Sequence, residues 1–556
     1  MLLKLTINNI LTKKHYFIFF LKFFIIKLII KNYKYNIIMS CIILFPTQLF
    51  ENGYLEKIFS DKIKDKYIIL WEHFYYFKKF PYHKLKLAFH RATMKYYYDN
   101  LKKIKSKIYI DSINTEKEQY DNIIKFINNN KIKELMFFNP IEKKMLELLT
   151  NKKLIPNLEI DYLMYPSPYF LNSSNFDKNN IMVNSLNTIR HDTFYKKQRI
   201  NYNIMINKID DKIIPEGNTW SFDTENRSPF EKTQSEIQLL NIKNKLNDDY
   251  CNKAIEYINL NYKNNYGLCE KENFIYPITR EDALKWLNDF IKRKLIKFGK
   301  YEDAISSKII FGYHSVLSPL TNIGLITPED IINKIKNYKQ NISSKEGFIR
   351  QVIGWREYCY LIYDKYNEKL ENEYFYKKSN KNIPLKIWEC KTNIPIIDNI
   401  LLNVNKYAYS HHIERLMCIG NFMLLIDINP KEIYNWFQTM YIDAYDVFMV
   451  PNVYGMLLYG LINEKTHMMT RPYFCSSNYL IKMSDYKKQD ILINQKNYKW
   501  NDIIDALYYR LILNYSTEFS KIYSTANAVK RYNSFTANKK KELLNLANMY
   551  IKWIHS

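Results

Sequence analysis

The sequence predicts an α/β N-terminal domain of the Rossmann-like type, followed by a large all-α domain. Two observations lead to this prediction. From residue 40 to about residue 163, short apolar runs alternate with stretches in which apolar residues recur at helical spacing. Beyond about residue 230 the strand signal fades, and helical periodicity dominates to the end of the chain.

The predicted strands of the first domain lie at residues 41–45, 66–71, 107–110, 134–138 and 158–162. Between them, helical spacing of apolar residues predicts helices over 85–96, 116–129 and 141–149. Because strands and helices alternate, the strands are expected to run parallel in one sheet.

The predicted domain boundaries follow shifts in composition. Residues 39–165 form the α/β domain, 166–230 form a connection rich in Pro, Ser and Asn, and 231–556 form the helical domain. Residues 1–38 are an extension that need not belong to the natural product. Within it, segment 16–30 is apolar, but two lysines interrupt it, whereas a membrane helix needs about 20 apolar residues in a row. A membrane-targeting role is the alternative for this extension.

Composition limits the classes of function. With 47% hydrophobic and 25% charged residues, the chain has the balance of a globular protein. The net charge of +26 permits an anionic partner such as DNA, but abundant Lys, Asn and Ile also suit an A/T-rich genome, such as a viral one. The seven cysteines form no CxxC pair, which argues against a zinc site and a disulfide framework. We expect a reducing compartment, the cytoplasm or nucleoplasm, and no metal site.

Three segments could carry chemistry. The first, 346–363, is apolar nearly all round and contains polar side chains that need partners, so it is either a salt-bridged core helix or a cavity wall. The second, 314–318, reads HSVLS and could cap a helix or cradle a pyrophosphate. In the third, His411 and His412 stand about one helical turn before Arg415, and histidine titrates near neutral pH. A metal ligand pair or a core pair is the alternative for these histidines.

Several segments resemble the bacterial-type cryptochrome and (6-4) photolyase family, whose members carry an iron–sulfur cluster. The similar segments are AYSHHIERLMCIGN, YIDAYDVFMVPNVYGM, FIRQVIGWREY, WSFDTENR and MTRPY with SSNYLIKMSDY. The resemblance runs from residue 41 to about residue 509. It implies the cryptochrome/photolyase fold, bound FAD, and blue-light-driven repair of (6-4) photoproducts in UV-damaged DNA by a monomeric enzyme.

The resemblance also implies roles for individual residues. Those near a (6-4) lesion are His411, His412 and Tyr473, with a histidine as the proton donor. Those that bind FAD are His314, Ser315, Leu317, Ser318, Gln351, Trp355, Glu357, Arg415, Asn421, Asp443 and Asn452. The electron relay consists of Trp388 and Trp436, and the residues of a lumazine-type antenna site are Glu72, His83 and Lys84.

The chain departs from the family pattern at several places. Ile396, Lys487, Asp490 and Asp502 stand where the family has its four cluster cysteines. Since a [4Fe–4S] centre needs thiolates, we predict no cluster. Phe437 replaces a relay tyrosine, and Met449 replaces a glutamate beside the flavin. The start LFPTQL replaces LGDQL, which puts the antenna pigment in doubt.

Three alternatives remain from the sequence. One is a cryptochrome-like photoreceptor without repair, which the missing cluster and Met449 favour. Another is a photolyase for cyclobutane dimers, whose repair needs no proton shuttle. The last is a membrane-tethered structural protein, which would require residues 1–38 to be translated and used.

Overall fold

The computed structural model describes residues 39–59, 64–102, 104–156, 158–172, 190–210, 212–241, 245–461 and 468–556. The predictions for residues 1–38 lie outside these ranges. Among the described residues, no helix has both the length and the apolar character that crossing a membrane requires.

The N-terminal domain is built on a sheet of five parallel strands in the order β3-β2-β1-β4-β5. The strands are β1 Ser40–Leu44, β2 Tyr67–Trp71, β3 Ser106–Ile110, β4 Glu134–Phe138 and β5 Asp161–Tyr165. Strands β1 and β2 are buried along their whole length, as expected for central strands covered on both faces. The predicted parallel sheet is therefore confirmed.

The last strand begins three residues later than the sequence predicts. The predicted range is 158–162, but Phe137 of β4 pairs with Met164, within Asp161–Tyr165. This edge strand leaves Leu163 and Met164 exposed, so it lacks the pattern of a buried strand. The more apolar residues just before it therefore carry the stronger signal.

Helices surround this sheet. They are α1 Asn52–Phe59, α2 Phe74–Phe77, α3 Lys84–Asn100, α4 Glu116–Asn129 and α5 Lys143–Thr150. Helix α4 begins with a capping box, in which Thr115 and Glu118 satisfy each other's backbone N–H groups. The helices predicted over 85–96 and 116–129 are confirmed. The helix predicted over 141–149 begins two residues later than predicted, at Lys143.

The connection contains more regular structure than the sequence predicts. It includes α6 His191–Asn201, an antiparallel hairpin of β6 Ile206–Ile209 with β7 Lys212–Pro215, and two short 3-10 turns, Glu216–Asn218 and Asp223–Glu225. Helix α6 packs on the helical domain, where the His191 ring stacks on Trp355 with a centroid separation of 3.7 Å.

The C-terminal domain is mainly helical, as predicted. Its α-helices are α7 Lys245–Asn261, α8 Arg280–Asp289, α9 Leu295–Phe298, α10 Ser318–Asn322, α11 Pro328–Ile335, α12 Ile342–Ile349, α13 Arg356–Asn372, α14 Leu385–Trp388, α15 Pro395–Tyr407, α16 Asn421–Leu425, α17 Pro430–Met440, α18 Asp446–Met449, α19 Ser477–Lys482, α20 Trp500–Asn514, α21 Ser516–Ser520, α22 Tyr523–Asn533 and α23 Ala537–Ile554. One hairpin, β8 Asp490–Ile493 with β9 Lys496–Lys499, departs from the all-α prediction.

Helices of this domain are interrupted by π-helical turns, each of which inserts a residue into the regular helix. They lie at Phe290–Lys294, Arg350–Trp355, Glu414–Gly420 and Val450–Leu457. The last three all contribute side chains to one large cavity of the domain. The fold therefore places helix irregularities at the wall of this cavity.

Candidate functional site

The cavity has a volume of about 520 Å³ and lies within the helical domain. Its wall contains most of the predicted site residues, namely His314, Ser315, Leu317, Ser318, Gln351, Trp355, His412, Arg415, Asp443, Asn452 and Tyr473. Apolar side chains such as Phe298, Phe348 and Met449 supply the rest of the surface. Such a combination of apolar walls and a few polar groups is typical of small-molecule and cofactor sites.

An ion pair between Arg415 and Asp443 crosses one side of the cavity. Two guanidinium nitrogens of Arg415 lie 2.9 and 3.1 Å from the two carboxylate oxygens. Ser318 Oγ donates to the same carboxylate at 2.5 Å, and Asn322 Nδ2 donates to the Asp443 carbonyl at 2.8 Å. Burial lowers the pKa of Arg415, but the Asp443 charge more than offsets it and leaves that pKa raised. Arg415 thus keeps its charge within the wall.

The segment 314–318 enters the wall with a strained backbone. Val316 has a φ of +53°, in the left-handed region that β-branched residues rarely adopt. Trp286 Nε1 donates to the Ser315 carbonyl at 2.8 Å, which holds this conformation. The strained turn brings Ser315 and Ser318, on either side of it, to the cavity.

The segment predicted to be helical over 346–363 forms salt bridges in the core and also contributes side chains to the cavity wall. Arg350 pairs with Asp223 at 2.8 Å and lies 3.3 Å from Glu346, while Gln351 Nε2 donates to Glu302 at 2.6 Å. The prediction that these buried polar groups find partners is confirmed. Gly354 lets the linker helix approach, since a Cβ there would lie only 3.2 Å from the His191 ring.

Three histidines lie together here, two of them in the cavity wall and His411 behind it. The His314 and His411 rings stack with centroids 4.5 Å apart and planes 10° apart, and both rings are buried. His412 is half-exposed, and its Nε2 lies 3.3 Å from Asp303. Partial burial opposes protonation of His412, but Asp303 and then Glu302 more than offset it and raise its pKa. His412 is therefore the histidine best placed to carry a proton.

These histidines also have a spacing that a metal ion could use, with ligand atoms within 4.8 Å of one another. However, imidazole lone pairs lie in the ring plane. Two parallel stacked rings cannot both point at one ion unless one of them rotates. The geometry favours a proton-transfer cluster over a formed metal site.

Three predicted site residues lie away from the cavity wall. Glu357 is buried and accepts hydrogen bonds from the backbone of Leu171 and Asn172, and burial raises its pKa to about 7. The side-chain oxygen of Asn421 accepts from the Cys475 backbone N–H at 3.0 Å, and its side-chain nitrogen donates to the Cys475 carbonyl at 3.3 Å. His411 lies behind the wall, against the ring of His314. Of these three side chains, His411 alone stacks on a residue of the wall.

The two predicted relay tryptophans are neighbours. Trp388 and Trp436 have ring centroids 6.4 Å apart, and Trp436 is fully buried behind Phe437, which lines the cavity. Tyr266 stacks on the outer face of Trp388 with a centroid separation of 4.0 Å. No sequence pattern pointed to this tyrosine, because the stack joins a loop residue to the end of α14, which is distant in the chain.

The predicted antenna residues have internal partners. Glu72 is buried between Arg91, Tyr109 and Ser112, and burial raises its pKa in opposition to the Arg91 charge. His83 caps α3 through one ring nitrogen and contacts the Asn405 carbonyl at 2.9 Å through the other. The Lys84 backbone N–H donates to the carbonyl of Tyr266. In this arrangement the His83 ring nitrogens are already taken.

Sequence reasoning missed several residues of the wall. Asp303 faces His412, while Arg356 reaches Asn322 Oδ1 at 2.5 Å and the Tyr169 carbonyl at 3.2 Å. Arg356 carried a signal, as a polar residue in a buried helix. Asp303 carried none, since an acidic residue in a loop usually faces solvent.

Comparisons with known proteins agree with the sequence resemblance. Residues 42–274 match a protein-family model described as deoxyribodipyrimidine photo-lyase-related protein. A (6-4) photolyase of Agrobacterium fabrum is 33% identical over 299 residues, which is 53% of this chain and 56% of that protein. The chain thus matches about half the length of this relative. An uncharacterized protein of Acanthamoeba polyphaga mimivirus is 37% identical over 134 residues, or 24% of this chain and 94% of that protein.

Among solved structures, a bacterial class III photolyase from Agrobacterium tumefaciens superimposes with a TM-score of 0.49 at 14% identity, covering 94% of this chain and 99% of that one. A cryptochrome from Synechocystis sp. superimposes with the same TM-score at 13% identity, covering 93% and 99%. The sequence matches therefore make residues 42–274, less than half of the chain, similar to the photolyase-related protein family.

Proposed function

We propose that the protein is a FAD-dependent, blue-light-driven enzyme that repairs UV photoproducts in DNA, with (6-4) lesions as its substrate. The observation that carries this proposal is the convergence of the predicted cofactor and lesion residues on one cavity of about 520 Å³. The (6-4) photolyase from Agrobacterium fabrum is related over about half its length, which supports the same class of activity.

The wall suits FAD because it offers polar atoms that lack partners. Among the described residues, His314 Nε2 and Arg356 Nε are buried without a hydrogen-bond partner. A ligand that supplies acceptors would remove this cost. Ser315 would hold the phosphates, Ser318 would fix Asp443 through its hydroxyl, and the Arg415–Asp443 pair and Asn452 would face the polar edge of the ring system. Bound FAD supplies light-driven one-electron chemistry.

The chain's own contribution to repair is proton control at the lesion. His412 reaches the cavity, and Asp303 raises its pKa, so it can donate a proton to a substrate hydroxyl. Tyr473 lies at the same cavity beside the exposed Arg471, whose guanidinium is 5.2 Å from the ring centroid. His411, buried against His314, fixes the position of its neighbour.

Damaged DNA is the proposed partner. Arg227 and Arg471 are exposed near the cavity, where they can contact phosphates on either side of an extruded lesion. Extrusion costs little for a damaged base pair, and photolyases are among the enzymes for which such base flipping is the general rule. Binding should weaken steeply with salt, because phosphate contacts release counterions.

We propose that this fold is held without an iron–sulfur cluster. The residues at the four family ligand positions offer no thiolate. Ile396 is fully buried, the Lys487 carbonyl accepts from the buried indole of Trp500 at 2.9 Å, and Asp490 begins strand β8. These donors do not fit a cluster, and apolar packing holds the region together.

The test uses the full-length protein, reconstituted with FAD and chemically reduced. It is illuminated with oligonucleotides that carry either a (6-4) photoproduct or a cyclobutane dimer, and restored bases are quantified by chromatography. Repair of the (6-4) photoproduct alone supports the proposal. Repair of the cyclobutane dimer alone would mean that the substrate is the dimer and not the (6-4) photoproduct. If FAD binds and responds to light but neither lesion is repaired, the result supports the photoreceptor alternative, which Met449 and the missing cluster favour.

A further inference from the structure

Behind the cavity wall, a row of aromatic rings leads from the interior to the surface. Phe437 lines the cavity, and Trp436 lies against it with ring centroids 5.5 Å apart. Trp388 follows at 6.4 Å from Trp436, and Tyr266 stacks on Trp388 at 4.0 Å with ring planes only 16° apart. We infer that Tyr266 is the surface terminus of an electron relay that runs from Tyr266 through Trp388 and Trp436 towards the cavity. This inference rests on the proposed flavin site.

The fold holds the Tyr266 stack through its backbone. The Tyr266 carbonyl accepts from the Lys84 N–H at 2.8 Å, and the neighbouring Asn265 side chain donates to the Tyr82 carbonyl at 2.8 Å. Leu268 N–H donates to the Asn405 carbonyl at 2.9 Å. The loop is thus tied on both sides of Tyr266, independently of its phenol group.

One glycine makes this loop geometry attainable. Gly267 has a φ of +82°, and a Cβ there would lie 1.9 Å from His83 Nε2. The loop backbone therefore lies directly on the His83 ring, which is buried and fixed by its own two hydrogen bonds. His83 and Lys84 thereby position Tyr266 against Trp388.

The surroundings of Trp436, Trp388 and Tyr266 favour movement of the positive charge, left when a ring loses an electron, from the interior towards the surface. Trp436 is 1% exposed, and its indole N–H is without a partner among the described residues, so no base can take its proton. Trp388 and Tyr266 are only half-buried. A cation is more stable near water than in an apolar interior, so the positive charge is driven from Trp436 to Trp388.

Tyr266 is also chemically suited to end the relay. Oxidation of a tyrosine releases its phenolic proton, and water can accept that proton at a half-buried position. Tyr441 also touches Trp436, at 5.7 Å, but it is fully buried. Its hydroxyl meets only Ser410 among the described groups, and the Arg415 guanidinium lies 4.0 Å from its ring. Since Tyr441 has no base and a cation beside it, it cannot end the relay.

Each electron that moves along the rings is replaced from the next ring outwards. With oxidised FAD bound and excited by light, Trp436 would give up one electron, Trp388 would replace it, and Tyr266 would in turn replace the electron lost by Trp388. Tyr266 loses one phenolic proton to water and becomes a neutral radical. An external thiol would then return one hydrogen atom to Tyr266 and become a thiyl radical, and two thiyl radicals would combine to a disulfide, so that the net electron donor is the thiol.

The test compares the full-length, FAD-loaded wild-type protein with its Tyr266→Phe variant. The variant keeps the ring stack but lacks the phenolic hydroxyl. After a light flash, electron paramagnetic resonance should show a tyrosyl radical in the wild type. The Tyr266→Phe variant should lose this signal, and its tryptophanyl radical should decay faster because the charge recombines. Trp388→Phe should remove the tyrosyl signal as well. Tyr523→Phe, which removes a phenol from a residue that is 96% exposed, is the matched control and should change nothing.

A tyrosyl signal that persists in Tyr266→Phe or in Trp388→Phe overturns the inference. Repair by chemically reduced protein bypasses the relay, so it should be equal in wild type and Tyr266→Phe. Radical formation without repair therefore refutes the proposed function alone, whereas repair without the Tyr266 radical refutes the relay terminus alone. If no FAD binds, both are refuted.

Discussion

Arg415 and Asp443 meet as a two-pronged ion pair in the cavity wall, with nitrogen–oxygen distances of 2.9 and 3.1 Å. The two residues come from separate elements, since Arg415 lies in the π-helical turn Glu414–Gly420 and Asp443 precedes α18. Ser318 and Asn322 anchor the same aspartate from a third element. One ion pair thus joins three parts of the wall.

The first prediction concerns this pair. Arg415→Lys keeps the charge but loses the planar fork that matches a carboxylate. We expect the affinity for FAD to fall about tenfold, equivalent to about 1.4 kcal/mol. Fluorescence titration with FAD measures this change. The control is Arg293→Lys, which alters a similar pair with Asp289 on a helix surface. Equal FAD affinity in both variants would contradict the assigned role.

The second prediction concerns the proton on His412. Asp303→Asn removes the charge that raises the His412 pKa, so this pKa should fall. Because repair needs protonated His412, the alkaline limb of its pH–rate profile should move to lower pH, by about one pH unit. Single-turnover repair by prereduced enzyme measures the profile. Asp249→Asn, which removes an exposed carboxylate paired with Lys253, should leave it in place.

A third prediction addresses Phe437. This ring separates the cavity from Trp436, and phenylalanine is much harder to oxidise than tyrosine. Phe437→Tyr should therefore speed photoreduction of bound FAD severalfold, as followed by absorbance under blue light with excess thiol. Phe448→Tyr adds the same hydroxyl to another ring of the wall and is the control. An equal gain in both variants would show that the position beside Trp436 is unimportant.

The fourth prediction concerns buried charges between the two domains. Burial, followed by the Asp446 charge, raises the pKa of Glu142 from 4.5 to about 8. A raised carboxyl pKa contributes stability that is complete below 4.5 and is lost as pH rises through 8. Wild-type Tm should therefore fall between pH 5 and pH 8.5, and Glu142→Gln should reduce that fall by roughly 2 °C or more. Differential scanning fluorimetry measures it.

Two comparisons keep this fourth prediction specific. Glu147→Gln, at an exposed position on α5, the helix that follows Glu142, should leave the pH dependence unchanged. Burial lowers the pKa of Lys86 from 10.5 to about 7, so its contribution is complete above 10.5 and is lost as pH falls towards 7. Lys86 therefore acts in the opposite direction above pH 7. A pH dependence that Glu142→Gln leaves intact would mean that other groups control it.

Much of this fold was predictable because it follows local periodicity. The central strands are continuous apolar runs, and helix α4 carries its own capping signal, so both were predicted within a residue. The exposed edge strand β5 was predicted three residues too early, and the hairpin β8–β9 was not predicted at all. Neither has the pattern of a buried strand. Burial patterns reveal an element only where burial is extensive.

The candidate site divides in the same way. Motif resemblance identified Arg415, Asp443 and His412, which the structure brings to one cavity. It also selected Glu357 and Asn421, which lie outside the wall, because a motif does not say which of its side chains turn inwards. Asp303 reaches His412, and Tyr266 reaches Trp388, only through tertiary contacts of loops, which leave no periodic trace in the sequence.

The π-helical turns at 350–355, 414–420 and 450–457 have a consequence for how this chain tolerates change. Each depends on one residue more than a regular helix would hold, and each successive helical residue is rotated by about 100°. Deleting a single residue from one of these turns would leave a good helix with its downstream side chains facing a different direction. The number of residues in these segments is therefore as strictly constrained as their identity, and small deletions should be more damaging there than most substitutions.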